Sequence, residues 1–150
     1  MILTEDKNVE SFVNLCRKLG IRGTPQRVVI FKELSATQEH PAAETIYESV
    51  KKTLPTISLN TVYKTLAFLE LRRLVWTVAT VGGRARYDAT TSPHYHFICH
   101  SCKSVTDIFS KGDGAFCPPK EAMKLGAIKT VNVQLHGMCN CCIQKKENKN

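Results

Sequence analysis

Two cysteine pairs constrain the fold of this chain more than any other feature. Cys99 and Cys102 form one Cys-x-x-Cys pair, and Cys139 and Cys142 form the other. Each pair can bring two thiolates to one point, and together they supply the four sulfur ligands of a tetrahedral zinc site. The second half of the chain is therefore predicted to fold around structural Zn²⁺, because the apolar core of so small a segment gives little stability by itself.

Three neighbouring residues offer alternatives within or near this site. Cys141 could take the place of Cys142, and we prefer Cys142 because its spacing repeats that of the first pair. His100 lies inside the first pair and could replace one of its thiols as a ligand. Cys117 has no paired cysteine and is expected to remain a free thiol.

The composition favours a cytoplasmic protein. Seven cysteines in a chain without a secretion signal point to metal ligands in a reducing compartment rather than to disulfides. No apolar run approaches the roughly 18 residues that span a bilayer, so no membrane association is expected. The formal net charge of +8 is spread over both halves, so it is compatible with an anionic partner but does not locate a binding face.

The first half of the chain is predicted to consist of four helices and a β-hairpin. Helices are expected over residues 6–19, from Thr24 onwards, over 42–52 and from Ser58 onwards, with Thr24 and Ser58 as N-caps. Strands over 74–80 and 84–89 flank a turn at Gly82 and Gly83. This order is that of a winged helix-turn-helix, so residues 1–89 are predicted to bind double-stranded DNA. A helical domain without DNA binding is the alternative.

The predicted DNA contacts lie mainly at the start of the fourth helix and on the hairpin. The outer face of the first turns of this helix is polar, and the corresponding end of a recognition helix enters the major groove. An arginine of the hairpin would lie against phosphate or in the minor groove. A solvated helix face is the alternative. The predicted contacts are Arg22, Ser58, Asn60, Thr61, Tyr63, Lys64 and Arg84.

A second candidate metal site is centred on His94 and His96. Residues i and i+2 of a strand point to the same side, so both imidazoles can reach one ion. Asp88, Asp107 and His40 would complete a nitrogen and oxygen donor set suited to Fe²⁺, Mn²⁺, Co²⁺ or Zn²⁺. The alternatives are a capping role for Asp88, a solvated Asp107 and a simple loop position for His40.

The segment between the cysteine pairs is predicted to add a strand over 105–110, a helix over 118–125 and a strand over 128–135. The expected fold class is therefore α+β. It combines an N-terminal winged helix-turn-helix domain with a small C-terminal α/β domain that carries a four-cysteine zinc site.

The order of these motifs resembles that of the ferric uptake regulator (Fur) family over nearly the whole chain. The matching stretches are Gly-Ile-Arg-Gly-Thr-Pro-Gln-Arg at 20–27, His-Pro at 40–41, Ile-Ser-Leu-Asn-Thr-Val-Tyr-Lys-Thr-Leu at 57–66, Arg-Tyr-Asp at 86–88, and the histidine and cysteine motifs at 94–102 and 137–142. The resemblance implies a homodimeric repressor with a winged-helix domain at 1–89, a hinge at about 88–93, and a metal-binding dimerisation domain at 94–150.

The resemblance also implies roles for the candidate ligands. The residues that match the structural zinc ligands are Cys99, Cys102, Cys139 and Cys142. Those that match the regulatory metal site are His40, Asp88, His94, His96 and Asp107.

Two positions make the chain most similar to the peroxide-sensing (PerR-type) branch of the family. Asp107 stands where iron-sensing members usually carry glutamate and peroxide-sensing members carry aspartate. Val131 stands where iron-sensing members often have a further histidine ligand. This branch implies Fe²⁺ or Mn²⁺ at the regulatory site, oxidation of His40 or His94 by peroxide, and release of a palindromic operator.

Two residues depart from the pattern of the family. Asn60 replaces a common alanine in the recognition helix, which puts the operator preference in doubt. Arg73 replaces the glycine that usually follows this helix, and we expect the favoured left-handed cap to be lost there.

Three other functions remain as alternatives. An iron- or zinc-responsive repressor of metal uptake genes has the same architecture. A non-haem iron enzyme could use two histidines and a carboxylate, but the chain leaves little length for a substrate pocket, so no enzymatic activity is predicted. A zinc-stapled interaction module would have no role in DNA binding.

Overall fold

The computed structural model describes residues 5–90, 92–109 and 118–148, with side chains from residue 10 onwards. The chain divides into two compact units, Met1–Thr91 and Ser92–Asn150. Helices dominate the first unit and a mixed sheet the second, so the predicted α+β class is confirmed. No helix among the described residues is long and apolar enough to cross a membrane. The end of the predicted strand at Ser110 and the predicted free thiol of Cys117 lie outside the described residues.

The first unit forms four helices and a two-stranded antiparallel sheet within residues 5–90. These elements are α1 (Glu5–Lys18), α2 (Pro25–Ser35), α3 (Ala43–Thr53), α4 (Leu59–Leu71), β1 (Trp76–Val81) and β2 (Arg84–Asp88). Thr24 caps α2 by accepting a hydrogen bond from the backbone N–H of Arg27, and Ser58 caps α4 in the same way through Thr61. Both predicted N-caps are therefore confirmed, and Ser58 fixes the first turn of the predicted recognition helix.

An apolar core joins the four helices of the first unit. Ile30, Val50, Val62 and Leu66 are completely buried in it. Cys16 lies in the same core, and burial raises the pKa of its thiol above the ordinary value, against the nearby charge of Arg27. Cys16 is therefore a core residue of this unit. Its thiol stays protonated in this apolar environment and is expected to be unreactive.

The end of α4 shows that the expectation for Arg73 was wrong. Arg73 has φ of 58°, so it keeps the left-handed conformation in which the family usually has glycine. Its backbone N–H donates to the carbonyl of Glu70, and the N–H of Leu74 donates to the carbonyl of Leu69, both at 2.9 Å. These two bonds form a Schellman motif, so the cap is retained and an arginine occupies its strained position.

The second unit is built on a three-stranded sheet within residues 92–109 and 118–148. Its elements are β3 (Tyr95–Cys99), β4 (Val105–Ile108), α5 (Lys120–Met123), β5 (Gln134–Gly137) and α6 (Asn140–Glu147). The strand order is β4-β3-β5, with β3 antiparallel to β4 and parallel to β5. The central strand β3 thus carries the histidine motif at one end and Cys99 at the other.

Two predictions for the second unit need correction, and one helix was missed. The helix expected over 118–125 is a single turn, α5. The strand expected over 128–135 begins only at Gln134, because only there does the chain pair with β3 in the regular ladder. Residues 128–133 have no such ladder within the described part of the chain, although the carbonyl of Val133 accepts from the N–H of His96 at 3.2 Å. Helix α6 was not predicted.

Candidate metal centres

Four cysteines of the second unit converge from two elements of its fold. Cys99 is the last residue of β3, and Cys102 lies in the turn that follows. This turn is closed by the backbone N–H of Lys103, which donates to the carbonyl of Cys99 at 2.9 Å while Lys103 takes a left-handed φ of 65°. Cys139 is the N-cap residue of α6, and Cys142 lies in the first turn of this helix. We call these four residues the cysteine cluster.

The sulfur geometry fits a tetrahedral zinc site. The four Sγ atoms lie within 4.8 Å of one another, and those of Cys102 and Cys139 are 3.8 Å apart. Two ligands of a tetrahedral Zn²⁺ with bonds of about 2.3 Å are separated by about 3.8 Å. Cys141 and His100 are exposed and lie outside this cluster. The preference for Cys142 over Cys141 therefore agrees with the structure, as does the preference for four cysteines over a set that includes His100. The cysteine cluster is suited to structural zinc.

Hydrogen bonds within the cluster also shift the pKa values of its thiols. The backbone N–H of Cys139 donates to Sγ of Cys99 at 3.3 Å, and this bond is the main reason that the pKa of Cys99 is lowered to about 5. The backbone N–H of Cys142 acts to lower the pKa of Cys139, but hydrogen bonds with the other thiols and burial outweigh it and raise this pKa to about 12. Four close thiols cannot all ionise without a compensating cation, which a bound zinc ion supplies.

A second donor set lies on the same sheet. His96 on β3 pairs directly with Asp107 on β4, and His94 precedes β3 by one residue. The Nε2 atoms of His94 and His96 are 2.9 Å apart, and Oδ1 of Asp107 lies 3.4 Å and 3.5 Å from them. Two ligands at right angles on bonds of about 2.0–2.1 Å are separated by about 2.9 Å, so this spacing suits one shared ion. We call these three residues the tripod.

Two neighbours that were not predicted orient His94. Its Nδ1 lies 2.7 Å from the carbonyl oxygen of Ser92, and a carbonyl can only accept, so Nδ1 carries the proton. This leaves the lone pair of Nε2 as the ligand, in the way that outer partners usually fix a metal-binding histidine. The ring of Phe109 stacks on the imidazole with centroids 5.2 Å apart. Neither contact follows from residue spacing, which is why the sequence did not indicate them.

The remaining two candidates lie in the first unit. His40 and Asp88 are both buried, and Nε2 of His40 is 3.9 Å from Oδ2 of Asp88. Oδ1 of Asp88 accepts from the backbone N–H of Thr90 at 2.7 Å. Asp88 therefore does cap the chain after β2, as the alternative interpretation had it, and still turns its second oxygen toward the histidine.

The hairpin holds His40 in an unusual backbone conformation. His40 has φ of 50°, and its carbonyl oxygen accepts from the guanidinium of Arg86. Arg86 also donates to the carbonyl of Glu39 at 2.7 Å, and the N–H of Tyr87 donates to the carbonyl of Pro41 at 3.1 Å. A left-handed non-glycine residue persists only where its surroundings hold it, and such residues concentrate at functional sites. Arg86 thus positions His40.

The predicted DNA-contacting residues lie on the first unit, and most are exposed. Arg22, Asn60, Lys64 and Arg84 point to solvent. Besides capping α4, the hydroxyl of Ser58 lies 2.8 Å from that of Thr61. Tyr63 is 42% exposed and donates its hydroxyl hydrogen to Oε1 of Glu44 at 2.9 Å. Glu44 was not singled out from the sequence, and the contacts of these residues with DNA stay a prediction.

Within its described residues, this α+β chain thus carries a sulfur cluster suited to zinc and a set of nitrogen and oxygen donors suited to a regulatory metal ion. Residues 18–136 match the "Ferric uptake regulator family", and the chain belongs to this family. It is thus a metal-dependent, DNA-binding regulator and not an enzyme.

Individual relatives agree with this assignment. The chain is 31% identical to the "Peroxide operon regulator" of Bacillus subtilis over 138 residues, which cover 88% of this chain and 90% of the relative. The crystal structure of the Campylobacter jejuni peroxide stress regulator is 27% identical and superposes with a TM-score of 0.65, covering 87% of this chain and 98% of that one. A zinc uptake regulator complexed with zinc and DNA has a TM-score of 0.70 over 97% of this chain and 99% of that one; its 21% identity shows the fold alone.

Proposed function

We propose that the protein is a cytoplasmic repressor that senses peroxide through its regulatory metal site. The observation that carries this proposal is the tripod, which presents two imidazole nitrogens and an aspartate oxygen in a geometry suited to one ion. Asp107 supports the peroxide-sensing branch over the iron-sensing one, since the latter usually has glutamate there. The similarity to regulators named for peroxide points in the same direction.

Fe²⁺ or Mn²⁺ would be held by the tripod together with His40 and Asp88. The tripod belongs to the second unit and the other two ligands to the first. Domain orientations in which all five ligands engage are then favoured over the others by the difference in binding free energy between them. We infer that this preference makes DNA binding depend on the metal.

A homodimer is proposed because the second unit leaves many apolar side chains exposed. Two of its buried apolar residues are Ile98 and Val105. The exposed ones are Met123, Leu125, Ile128, Val131, Leu135 and Ile143. A second copy of the unit could cover these side chains, since contiguous exposed apolar surface usually marks an interface. Two α4 helices about 34 Å apart would then reach successive major grooves of a palindromic operator.

Structural Zn²⁺ at the cysteine cluster would join the turn after β3 to the start of α6. Cys99 ends β3 and Cys102 lies in the turn after it, whereas Cys139 is the N-cap residue of α6 and Cys142 lies in its first turn. The central strand that carries His96 is thereby held in a fixed place. We propose that the zinc site keeps the tripod in its binding geometry and takes no part in sensing.

Fe²⁺ held at the regulatory site would activate peroxide beside its own ligands. In the net reaction, one H₂O₂ would deliver one oxygen atom to an imidazole carbon and its other oxygen atom would leave as water, so no further oxidant is needed. His40 and His94 are the proposed targets. Addition of one oxygen atom to either imidazole alters a ligand, so the affinity for the metal falls and the domains lose their preferred orientation. Release of the operator follows from this loss.

Operator binding with Fe²⁺ and with Mn²⁺, each with and without peroxide, tests the proposal. A duplex is first selected from a random palindromic library with the Mn²⁺-loaded protein. The Fe²⁺ form is expected to lose this duplex on peroxide treatment and to gain one oxygen atom on a peptide with His40 or His94, as measured by mass spectrometry. The Mn²⁺ form is expected to stay bound. An Fe²⁺ form that stays on DNA after peroxide leaves an iron- or zinc-responsive repressor as the better description.

A further inference from the structure

Glu44 contacts the exposed face of α4 at a residue that is predicted to read DNA. It lies in the first turn of α3 and accepts the hydroxyl hydrogen of Tyr63 on Oε1 at 2.9 Å. Tyr63 remains 42% exposed, so its hydroxyl group can still be approached from solvent. The hydrogen of an accessible hydroxyl group on α4 is therefore already engaged within the protein.

The acceptor in this bond is a carboxylate. The backbone N–H of Glu44 itself, then the hydroxyl of Tyr63, and also the charge of Arg84 hold the pKa of the Glu44 carboxyl below its ordinary value. The same hydrogen bond raises the pKa of Tyr63 above its ordinary value, so the hydroxyl keeps its proton. Hydrogen bonds to an ionised acceptor are about twice as strong as those between neutral groups, which commits the hydrogen to Glu44.

This commitment restricts what Tyr63 can bind. A phosphate oxygen can only accept a hydrogen bond, and the hydroxyl has no second hydrogen to give. Its oxygen can still accept, and the hydrogen-bond donors of the major groove are the amino groups N6 of adenine and N4 of cytosine. The negative charge of Glu44 also disfavours a phosphate at this place, and Arg84 partly compensates this charge.

We propose that Glu44 is a positioning residue that fixes the hydroxyl of Tyr63 as an acceptor for the amino group of adenine or cytosine in the major groove. This assignment rests on the proposed use of α4 as the recognition helix. It makes Glu44, a residue outside the recognition helix, a determinant of operator sequence. Because Glu44 is not among the candidate metal ligands, neither the affinity for metal nor the response to peroxide is expected to depend on it.

Site selection with the Mn²⁺-loaded full-length protein tests this assignment. Wild type, Glu44→Gln, Glu44→Ala, Tyr63→Phe and the double variant Glu44→Ala/Tyr63→Phe each select duplexes from the same random library. Glu48→Gln is the matched control, because Glu48 is an exposed carboxylate one turn later on the same helix. Circular dichroism and Mn²⁺ affinity verify that each variant is folded.

Wild type is expected to prefer adenine or cytosine at one position of each half-site. Tyr63→Phe and Glu44→Ala should each weaken the base preference at that same position. The double variant should weaken this preference no further than either single change does. Glu44→Gln should keep the preference because its amide oxygen can still accept from Tyr63, and Glu48→Gln should keep it as well. If the preferred base is adenine, it can be replaced with purine, which lacks the amino group. This replacement should lower the affinity of the wild-type protein for the duplex about 3- to 10-fold and leave the affinity of Tyr63→Phe unchanged.

Three outcomes would overturn the assignment. Unchanged base preference in folded Glu44→Ala shows that Glu44 does not position Tyr63. If Glu44→Ala loses base preference at a different position from Tyr63→Phe, Glu44 acts through another residue. Failure of wild type to select any duplex removes both this assignment and the proposed DNA-binding function, so the two failures are distinguishable.

Discussion

Arg73 occupies a backbone position that glycine adopts with far less strain. Its φ of 58° is left-handed, and the residue is exposed at the end of α4. A left-handed conformation costs an L-residue about 1–2 kcal/mol, and part of this is offset because glycine loses more entropy on folding. Arg73→Gly is therefore expected to raise the free energy of unfolding by about 0.5–1 kcal/mol, measured by thermal or urea denaturation.

Arg72→Gly is the matched control for this change. Arg72 has φ of −91°, so a glycine there relieves no strain and should lower the free energy of unfolding by about 0.5–1 kcal/mol. A lower free energy of unfolding for Arg73→Gly would contradict this prediction. It would mean that the arginine side chain stabilises the fold by more than its backbone strain destabilises it.

At this scale the sequence predicted the metal-ligand candidates but few of the residues that orient them. Cys-x-x-Cys and His-x-His spacings are local, so turn and strand geometry alone bring their donor atoms together. The contacts of Ser92 and Phe109 with His94 depend on the conformation of the segment around β3 and β4. The bond between Glu44 and Tyr63 joins two different helices, and no sequence period indicates it.

Helix α6 has little packing of its own within the chain. None of its residues is buried, and Cys139 gives it no side-chain cap. An isolated helix of this length is only marginally stable in water. Zinc ligation by Cys139 and Cys142 would therefore be the main interaction that ties the start of α6 to the sheet.

Cys142→Ser is expected to abolish zinc binding and unfold the second unit. Structural zinc sites contribute roughly 10–16 kcal/mol of apparent binding free energy in small domains, so removal of one ligand should outweigh the small core of this unit. The zinc content per chain and the far-ultraviolet circular dichroism on heating measure the effect. Cys141→Ser is the control and should keep its zinc and its melting curve, because Cys141 lies outside the cluster. Loss of zinc from Cys141→Ser alone would contradict the assigned ligand set.

The elements of the first unit could be predicted better than those of the second. Thr24 and Ser58 give local start signals, and the buried faces of the helices follow a helical period. Residues 128–133 have a strand-like composition, yet a strand forms only where a partner strand is available. Helix α6 has no apolar stripe, so the spacing of its apolar residues does not indicate a helix. Its N-cap residue is Cys139, a candidate metal ligand, where a capping side chain such as serine is usual.

At the scale of the whole molecule, the proposed regulation depends on two groups of candidate ligands that belong to different units. His40 is held by the hairpin of the first unit, and the tripod is held by the sheet of the second. The proposed regulation requires that one ion engages both groups. If the tripod were to bind the ion alone, metal binding would not influence the orientation of the DNA-binding unit.

Titration of the zinc-loaded full-length protein with Mn²⁺, followed by electron paramagnetic resonance of the unbound ion, tests this requirement most directly. One Mn²⁺ is expected to bind per chain at the regulatory site. His40→Ala in the first unit and His96→Ala in the second should each lower the affinity for Mn²⁺ by more than about 100-fold. Such a loss exceeds the usual effect of removing a residue that only contacts a ligand. His100→Ala, which changes an exposed histidine, should bind as wild type does. Wild-type affinity in His40→Ala would show that the tripod binds the ion alone and would contradict regulation through a metal shared by the two units.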